Sequence, residues 1–369
     1  MQEKIRILHI VPNMGQGGLE NFIMNLYRNI NTEKIQFDFL VHYRRKEYFD
    51  KEIEDRGGKI YRFSLREDNN IFKYIIELNK FFKNHKEYKI IHCHMSSIGF
   101  LLFLIAKLNG VQVRIAHSHN SDTEKTIKGF IKSILIKPYK YVSTINFACS
   151  EKAGKYLFKN KKFEIVPNGI DIEKFKFNYE IRKKIRKQLE INDDEFVIGH
   201  VGRFQLQKNH DFLIDIFKEV SKKQTNSKLV LIGIGNLEEK IKEKVVKLNL
   251  QNNVLFLGLR ENTNEIYQAM DCFALPSFFE GLPLVGVEAQ TSGLKCVFSD
   301  VISEELKIID DVSFIPIKDP KIWADVILNF SSKDRNESYD IAKNSKYNIK
   351  KVANYLEEIY IKGDNKWQM

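Results

Sequence analysis

Two glutamates eight residues apart, Glu280 and Glu288, flank the segment whose residue types are best suited to binding a polar ligand. The residues between them are nearly all apolar or small. A helix that begins near Pro283 would leave free backbone N–H groups in the segment 281–284 at its N-terminus, those of Gly281, Leu282 and Leu284. Such N–H groups bind phosphate, and carboxylates accept hydrogen bonds from hydroxyl groups. The segment therefore predicts a site for a ligand that carries both a phosphate and hydroxyl groups.

Two cations, Arg203 and Lys208, lie five residues apart after a strand-like run and before a helix that starts near Asp211. A planar guanidinium and a mobile ammonium together suit a diphosphate. A structural ion pair is the alternative explanation for the same residues, and the sequence leaves it open.

A glycine-rich loop, Asn13–Gly18, follows the first strand-like run and precedes a helix from Leu19. Glycines allow backbone N–H groups to approach an anion at a helix N-terminus. The loop has neither the G-x-G-x-x-G pattern nor a Walker lysine, so a simple tight turn explains it equally well.

Four histidines form two H-x-H pairs, His92/His94 and His117/His119, each at the end of a strand-like run. A spacing of two places both rings of a pair on one face of a sheet. A metal-dependent hydrolase would need carboxylate ligands near these histidines, and no such grouping and no D-x-D motif occurs. We therefore expect no metal site, and we expect His92 to be a hydrogen-bonded core residue.

Short apolar runs of strand type alternate with amphipathic helical stretches along the chain. One series begins at Ile5 and ends near residues 147–149, and a second begins at Phe196 and ends near Phe298. This alternation predicts two α/β domains with parallel, doubly wound sheets. In such Rossmann-like domains, ligands bind outside the carboxyl ends of the strands, here in a cleft between the domains.

The length of 369 residues suits two domains, and 43% apolar with 29% charged residues is typical of a globular protein. The N-terminal apolar run is too short for a signal peptide, and the longest run, near Ile98–Ala106, is about half of a membrane span. We therefore expect a cytoplasmic protein. Its scattered cysteines, which form no C-x-x-C pair, are expected to be buried free thiols: Cys93, Cys149, Cys272 and Cys296.

The net charge of +11 is unevenly distributed. Residues 1–200 hold 36 Lys and Arg against 24 Asp and Glu, whereas residues 201–369 hold 23 against 24. A one-sided positive field predicts an acidic partner, such as anionic lipid, a phosphorylated acceptor or nucleic acid. A lysine-rich solvated surface without a partner is the alternative.

The motifs taken together resemble the retaining glycosyltransferases of the group 1 class, family 4, and especially those that build capsular polysaccharide or exopolysaccharide. The resemblance covers nearly the whole chain. It rests on these pieces in this order: GQGGLEN, HSHN, FACSEKAGKYL, PNGID, VGRFQLQKNHDFLIDIF, LVLIGIGN, VLFLGLREN, the Glu280–Glu288 segment and GLKCVFSD.

This resemblance implies the two-domain GT-B fold, with two Rossmann-like domains facing across a cleft and a C-terminal helix that packs back on the first domain. Residues 1–178 with 348–369 would form the acceptor domain, and residues 190–345 the nucleotide-sugar donor domain.

The resemblance also implies roles for particular residues. Arg203 and Lys208 would neutralise the diphosphate, Glu280 would hold the sugar hydroxyls, and Glu288 the ribose. The other implied donor-site residues are Gly17, Gly18, Gly202, Leu259, Arg260, Gly281, Leu282, Pro283 and Leu284.

A histidine near the transferred sugar is also implied, and we take His119 over His117 because it stands beside Asn120. With Arg203, Lys208 and Glu280, His119 completes the expected catalytic set. His94, His117 and Asn120 are expected on the acceptor side.

The implied reaction moves a hexose or N-acetylhexosamine from a nucleotide-sugar, with UDP expected, to a lipid-linked or glycan acceptor. It would retain the anomeric configuration, need neither cofactor nor metal, and serve cell-surface polysaccharide synthesis. A sugar-nucleotide epimerase of the same fold is the first alternative. A metal-dependent hydrolase and a basic nucleic-acid-binding protein are more distant ones.

The segment Thr126–Lys140 reads TIKGFIKSILIKPYK and combines lysines with large apolar residues. A basic amphipathic helix of this kind fits the surface of an anionic membrane. We expect peripheral contact with the inner face of the plasma membrane. Packing of the apolar face on the first domain is the alternative.

Overall fold

The computed structural model describes residues 4–63, 65–68, 70–96, 98–119, 138–329 and 334–365. The chain divides into two compact units. Unit 1 consists of residues 1–169 and 349–369, and unit 2 consists of residues 170–348.

Unit 1 contains a seven-stranded sheet in which all neighbouring strands are parallel, in the order β3-β2-β1-β4-β5-β6-β7. Its strands are β1 (Ile5–Ile10), β2 (Ile35–Val41), β3 (Ile60–Arg62), β4 (Ile90–Cys93), β5 (Val113–Ser118), β6 (Ile145–Ala148) and β7 (Glu164–Ile165).

Helices of unit 1 follow the strands and cover the sheet. They are α1 (Gly18–Asn29), α2 (Asp50–Asp55), α3 (Leu65–Asp68), α4 (Ile71–Asn84), α5 (Gly99–Leu108), α6 (Tyr139–Val142), α7 (Glu151–Phe158) and the C-terminal α15 (Ile349–Asn365). Helix α15 packs against α1, β1 and β4, and its apolar face joins the same core as α1. The predicted return of the C-terminal helix to the first domain is therefore confirmed.

Unit 2 contains a six-stranded parallel sheet in the order β10-β9-β8-β11-β12-β13. Its strands are β8 (Phe196–Val201), β9 (Ser227–Ile232), β10 (Val254–Phe256), β11 (Cys272–Leu275), β12 (Lys295–Ser299) and β13 (Val312–Ile315). Its helices are α8 (Tyr179–Gln188), α9 (His210–Lys223), α10 (Glu238–Lys247), α11 (Thr263–Ala269), α12 (Leu284–Thr291), α13 (Pro320–Leu328) and α14 (Arg335–Asn344), with 3₁₀ turns at Ile172–Phe175, Leu206–Lys208 and Glu304–Leu306.

The predicted fold class is confirmed, because each unit is a doubly wound parallel sheet with helices on its faces. Apolar cores lie on both faces of each sheet, and the buried strand residues contribute alternately to the two cores of a unit. The four cysteines are buried and free, as expected.

Unit 2 begins at Ile170, whereas the resemblance implied a first domain that extends to residue 178. Ile170, Ile172 and Phe175 are buried in the core of unit 2. The backbone N–H of Ile170 also donates to the carbonyl of Tyr347, at the other end of the same unit. The segment thus belongs to the unit with which it packs.

The strand order of each sheet reverses beside its first strand, between β1 and β4 in unit 1 and between β8 and β11 in unit 2. Loops that leave two such neighbouring strands run to opposite faces of the sheet, and the crevice between them is the usual ligand site of doubly wound folds. Most of the predicted site residues follow these particular strands; the exceptions are His117 and His119 at β5, and Leu259 and Arg260 after β10.

The longest apolar run of the sequence forms helix α5, ten residues long. Among the described residues, no helix is both long and apolar enough to span a membrane.

Candidate functional site

The loop after β8 carries the two predicted diphosphate ligands of unit 2. Arg203 lies directly after the strand, and Lys208 ends the short 3₁₀ turn that leads to α9. The next residue, Asn209, has a left-handed backbone (φ 54°) and donates from Nδ2 to the carbonyl of Pro276 at 3.1 Å. Asparagine tolerates this left-handed conformation well. The hydrogen bond from its side chain fixes the turn to the loop after β11.

Lys208 and Glu280 lie side by side, since Lys208 Nζ is 2.5 Å from Glu280 Oε1. Gln207 strengthens the contact: its Nε2 donates to Glu280 Oε2 at 3.2 Å and to the carbonyl of Phe279 at 2.9 Å. The structure thus brings together two predicted site residues that are 72 positions apart in sequence, one from each strand of the switch point.

A structural ion pair was the alternative explanation for Arg203 and Lys208, and such a pair is present for Lys208. Arg203 differs, because its side chain is exposed and forms no ion pair with any described residue. Its guanidinium is open to a ligand.

Helix α12 begins at Leu284 with Pro283 as its N-cap residue, as the sequence predicted. Glu288 lies one turn into this helix and is partly buried. The hydroxyl of Tyr267 donates to Glu288 Oε2 at 3.0 Å. Burial raises the pKa of Glu288 to about 7, although the Tyr267 hydrogen bond favours the carboxylate and acts against this shift.

Three glycines bring the loops after β8, β9 and β10 unusually close together. A Cβ atom on Gly233 would lie 2.1 Å from the carbonyl oxygen of Gly202, and the N–H of Gly233 donates to the carbonyl of Gly258 at 2.9 Å. Gly233 also has φ 137°, a conformation that other residues rarely adopt. Leu259 and Arg260 follow Gly258 and are exposed, with Arg260 Nε donating to the Leu257 carbonyl.

The glycine loop of unit 1 ends at the N-terminus of α1. Gly17 is the N-cap residue, and its carbonyl accepts from the backbone and the side chain of Asn21. Gly18 is the first residue of the helix, and a Cβ atom there would have no heavy atom of the described residues within 4 Å, apart from its chain neighbours and the backbone of its own helix. In the described part of the chain the space in front of Gly18 is therefore open.

Five histidines of unit 1 lie together at the carboxyl ends of β1, β4 and β5. We call one series of hydrogen bonds the anchored chain: Tyr360 Oη to His92 Nδ1 (2.7 Å), His92 Nε2 to His117 Nδ1 (3.2 Å), and His117 Nε2 to the Val166 carbonyl (3.1 Å). His92 is thus the hydrogen-bonded core residue that the sequence predicted.

A second series, which we call the open chain, runs parallel to the first. His9 Nδ1 contacts His94 Nε2 (3.1 Å), His94 Nδ1 contacts His119 Nε2 (2.9 Å), and His119 Nδ1 contacts Asn168 Oδ1 (3.0 Å). The two chains stack on each other, with 4.3 Å between the ring centroids of His92 and His94 and 4.1 Å between those of His117 and His119.

Burial lowers the pKa of all five histidines, to about 3 for His9 and His119 and well below the ordinary value for His92, His94 and His117. The rings are therefore neutral. His119 is partly exposed, whereas His94 and His117 are buried.

Nitrogen atoms of His9, His92 and His94 lie within 4.8 Å of one another, as do those of His94, His117 and His119. Such distances alone are compatible with a metal ion. In this structure the five rings are joined by hydrogen bonds, two rings in the anchored chain and three in the open chain.

Asn120 and residues 126–137 of the predicted membrane segment lie outside the described residues. Three residues of the site were not selected from the sequence: Tyr267, Asn168 and His9. Asn168 stands in the motif PNGID, which offered a signal, whereas Tyr267 and His9 resemble ordinary core residues until their partners are known.

The structure shows two doubly wound parallel sheets, with cations and carboxylates at one switch point and histidine rings near the other, which is a two-domain Rossmann-like architecture. Comparison with known families gives the same result. Residues 181–349 match the family described as "Glycosyl transferases group 1", and residues 16–174 match "Glycosyltransferase Family 4".

The chain is 33% identical over 340 residues to the putative glycosyltransferase EpsF of Bacillus subtilis, covering 89% of this chain and 88% of that protein. It is 26% identical to the capsular polysaccharide biosynthesis glycosyltransferase CapH of Staphylococcus aureus, over 97% of this chain and 99% of CapH. This chain therefore belongs to the group 1, family 4 glycosyltransferases, as the motifs indicated.

A third relative is the UDP-Gal:alpha-D-GlcNAc-diphosphoundecaprenol alpha-1,3-galactosyltransferase of Escherichia coli, 29% identical over 78% of this chain and 79% of that protein. Among solved structures, Anabaena Alr3699/HepE in complex with UDP superposes with a TM-score of 0.80 at 16% identity, over 97% of this chain and 99% of HepE. That likeness supports the GT-B fold.

Proposed function

We propose that this glycosyltransferase transfers a hexose or N-acetylhexosamine from a UDP-sugar to a lipid-linked or glycan acceptor, with retention, during synthesis of a cell-surface polysaccharide. The observation that carries the proposal is the contact of Lys208 with Glu280 at the switch point of unit 2. This contact supports the proposal because it joins a cation, which suits a diphosphate, to a carboxylate, which suits sugar hydroxyls.

In this proposal the donor lies along the carboxyl ends of β8 and β11. Arg203 and Lys208 bind the diphosphate, together with the backbone N–H groups of Gly281, Leu282 and Leu284 at the start of α12. Glu280 accepts hydrogen bonds from the sugar, and Glu288 accepts them from the ribose. The exposed Leu259 and Arg260 border the base.

The ion pair also explains how Lys208 is held before the donor arrives. Glu280 balances the ammonium, and a diphosphate with two negative charges competes for it. Once Lys208 contacts the diphosphate, Glu280 is available to the sugar hydroxyls.

The bond from the sugar C1 to the diphosphate oxygen breaks as the acceptor oxygen bonds to C1, and the acceptor proton passes to the departing diphosphate. Negative charge grows on the diphosphate in this step. Arg203, Lys208 and the helix N–H groups stabilise that charge without a metal ion, which is the role of a preorganised electrostatic site.

Relatives support the choice of donor and pathway. The Escherichia coli relative uses UDP-Gal and a diphosphoundecaprenol acceptor by its name, CapH acts in capsular polysaccharide biosynthesis, and HepE was crystallised with UDP-glucose.

We further propose peripheral membrane contact through unit 1, outside the segment that the sequence suggested. Helices α4 and α5 are joined by a hydrogen bond from Asn109 Nδ2 to Asn79 Oδ1. Large apolar side chains on them are exposed, including Phe72 (77%), Ile76 (68%) and Leu108 (77%).

Exposed lysines of the same two helices lie near these apolar residues, namely Lys80, Lys83 and Lys107. Apolar side chains that enter the head-group region and lysines that attract anionic lipid are the two components of interfacial binding. A lipid-linked acceptor would be reached at such a surface.

The test of the donor site is the turnover of a UDP-sugar by Lys208→Ala and Glu288→Ala. We expect kcat/KM to fall by about 100-fold or more for Lys208→Ala, the usual effect of removing one group that stabilises transition-state charge. In Glu288→Ala, turnover of the UDP-sugar should fall below detection. Both variants should keep the circular dichroism spectrum of the wild type.

Lys222→Ala is a matched control, because Lys222 pairs with Glu219 on the surface of the same unit, away from the switch point. It should retain wild-type turnover. Near-wild-type rates in Lys208→Ala or Glu288→Ala would contradict the assignment of the donor site.

A further inference from the structure

Tyr267 and Glu288 form a pair in which one oxygen of a partly exposed carboxylate is held and the other is left open. We propose that Tyr267 is a positioning residue, which fixes the side chain of Glu288 so that Oε1 faces the ribose of the nucleotide-sugar. Tyr267 itself need not touch the ligand. The inference rests on the proposed function, which places the ribose at Glu288.

The two oxygens of Glu288 have different surroundings. Oε2 accepts from the Tyr267 hydroxyl at 3.0 Å. Oε1 has no hydrogen-bond partner among the described residues, and it is not one of the buried atoms that lack a partner. Solvent therefore reaches Oε1, and a ligand hydroxyl can do the same. Because one oxygen is anchored, the carboxylate presents the other in a fixed direction.

The ring of Tyr267 is fixed by its surroundings. It is fully buried, and it packs against Phe175 and Phe273 with 5.9 and 5.8 Å between ring centroids. Core side chains packed in this way occupy defined rotamers. The hydroxyl of Tyr267 therefore has one position from which to bind Glu288.

Arg335, at the start of α14, connects the two helices that carry the pair. Its Nη2 donates to the Tyr267 carbonyl at 3.2 Å, near the end of α11, and its Nε donates to the Ser292 carbonyl at 2.8 Å, directly after α12. Its Nη1 donates to the Met270 carbonyl at 3.0 Å. A planar guanidinium holds its donors in a rigid fork, so Arg335 keeps the ends of α11 and α12 at a fixed separation.

The direction of the hydrogen bond follows from the charge of Glu288. An ionised carboxylate can only accept, so Tyr267 must donate to it. The hydroxyl of Tyr267 also lies 3.3 Å from the Val285 carbonyl. The carboxylate is the nearer acceptor and carries a charge, which strengthens a hydrogen bond. The hydrogen of Tyr267 therefore points to Glu288 in the ionised state.

The same hydroxyl has a partner when Glu288 is protonated. The neutral acid then donates to Tyr267 Oη, and Tyr267 turns its hydrogen to the Val285 carbonyl. The heavy atoms keep their places in both states. Glu288 can therefore gain or lose a proton without a change in the direction of Oε1.

Glu288 is the member of this pair that titrates near neutral pH. Burial raises the pKa of Glu288 to about 7, against the hydrogen bond from Tyr267, which favours the charged form. Burial also raises the pKa of Tyr267 and of the nearby Cys296 thiol well above their ordinary values, so both stay neutral. Arg335 supplies a positive charge at the backbone of Tyr267. Loss of the hydroxyl removes the contact that favours an ionised Glu288.

The test is the ionisation of Glu288 in the full chain, followed by ¹³C NMR of protein labelled at the glutamate carboxyl carbon. The signal that is missing from Glu288→Gln identifies Glu288. In the wild type we expect a titration midpoint near pH 7. In Tyr267→Phe, which keeps the buried ring, the midpoint should move to higher pH.

Ligand binding gives the second readout. The Kd of UDP-glucose, measured by calorimetry from pH 6 to pH 10, requires no acceptor. In the wild type the Kd should fall as Glu288 ionises, and in Tyr267→Phe this fall should occur at higher pH. The limiting Kd at high pH, where Glu288 is ionised in both proteins, should stay about fivefold higher in Tyr267→Phe, the value of about one hydrogen bond, because the carboxylate is no longer oriented.

Tyr339→Phe is the matched control. The hydroxyl of Tyr339 donates to Glu173 Oε2 at 2.7 Å, so this variant removes a hydrogen bond of the same kind elsewhere in unit 2. It should leave the midpoint of Glu288 and the Kd of UDP-glucose as in the wild type at every pH.

An unchanged Glu288 midpoint in Tyr267→Phe would overturn the proposal, and so would a limiting Kd equal to that of the wild type. The same changes in Tyr339→Phe would also overturn it, because they would indicate a general effect on the unit. Failure of the proposed function gives a different result, since the wild type would then bind UDP-glucose at no pH. The titration of Glu288 needs no ligand and would still show whether Tyr267 holds that carboxylate.

Discussion

At the residue scale, Glu280 and Glu288 differ in their surroundings although both are acidic residues of one short segment. Glu280 is buried beside Lys208 and Gln207, so its charge is balanced by a cation. Glu288 has the hydroxyl of Tyr267 as its hydrogen-bonding partner. A neutral donor compensates burial less than a cation does, which explains why the pKa of Glu288 is raised to about 7.

This pKa predicts how donor binding depends on pH. Glu288 ionises as the pH rises through about 7, and a carboxylate accepts stronger hydrogen bonds from ribose hydroxyls than a neutral acid does. The KM for the UDP-sugar should therefore fall roughly fivefold between pH 6 and pH 8, about 1 kcal/mol of binding. Initial rates of Glu288→Gln should show no such change, and a pH-independent KM in the wild type would contradict the role of Glu288.

The same pKa has a consequence for stability. An acid whose pKa is raised on folding binds its proton more tightly in the folded state, so the folded state loses stability as the pH rises through about 7. Glu288→Gln should therefore unfold at a higher temperature than the wild type at pH 8, with a smaller difference at pH 5. This measurement also shows that the variant is folded.

At the element scale, the starts of two helices of unit 2 could be predicted from the sequence to within about two residues. The helix expected to start near Asp211 begins at His210, and the helix expected to start near Pro283 begins at Leu284. The apolar face that packs on the sheet identified the first helix, and the proline at its start identified the second.

Strands β3, β7 and β13 were not predicted. Each has four residues or fewer and lies at or next to a sheet edge, where its side chains are only partly buried. Such strands lack the continuous apolar run that identifies a buried parallel strand. The histidine chains could not be predicted either, because their partners, Tyr360 and Asn168, come from distant parts of the sequence.

Alanine substitutions at two glycines, Gly18 and Gly233, should have contrasting effects on the stability of the protein. The methyl group added in Gly18→Ala would contact no described residue outside its own helix start, so the variant should be as stable as the wild type. If the N-terminus of α1 approaches a ligand phosphate or the acceptor, the added methyl group should nevertheless lower kcat/KM about tenfold or more.

Gly233→Ala is the contrasting variant. Its Cβ would lie 2.1 Å from the Gly202 carbonyl oxygen, and φ 137° is unfavourable for alanine. Thermal unfolding should show a loss of about 1–3 kcal/mol in the free energy of unfolding, as expected for a residue forced into a rare backbone conformation.

Wild-type activity in Gly18→Ala would show that no ligand uses the space at the start of α1.

At the scale of the whole molecule, the two units share one architecture but differ in charge. Residues 1–200 carry a net charge of +12, whereas residues 201–369 carry a net charge of −1. The exposed apolar residues of α4 and α5 also belong to unit 1. Positive charge and exposed apolar side chains in the same unit are the two features that the proposed membrane contact requires.

This difference predicts binding to anionic vesicles at low salt, measured by co-sedimentation with phosphatidylglycerol-containing liposomes. The double variant Phe72→Asp/Ile76→Asp should lose most of the binding, because it places charge where apolar side chains enter the lipid. Ile322→Asp, at an exposed position of unit 2, should bind as the wild type does. Equal binding by all three proteins, or none by the wild type, would contradict the proposed surface.

The measurement that tests the central claim most directly is a thermal-shift panel of UDP-, GDP-, ADP- and TDP-sugars on the wild type and on Lys208→Ala. A ligand at about 100 times its Kd stabilises the protein by about 2.7 kcal/mol, or roughly 5–10 °C for a domain of this size. We predict such a shift with a UDP-sugar in the wild type and its loss in Lys208→Ala. No shift with any nucleotide-sugar, or the same shift in both proteins, would contradict a donor site at Lys208 and Glu280.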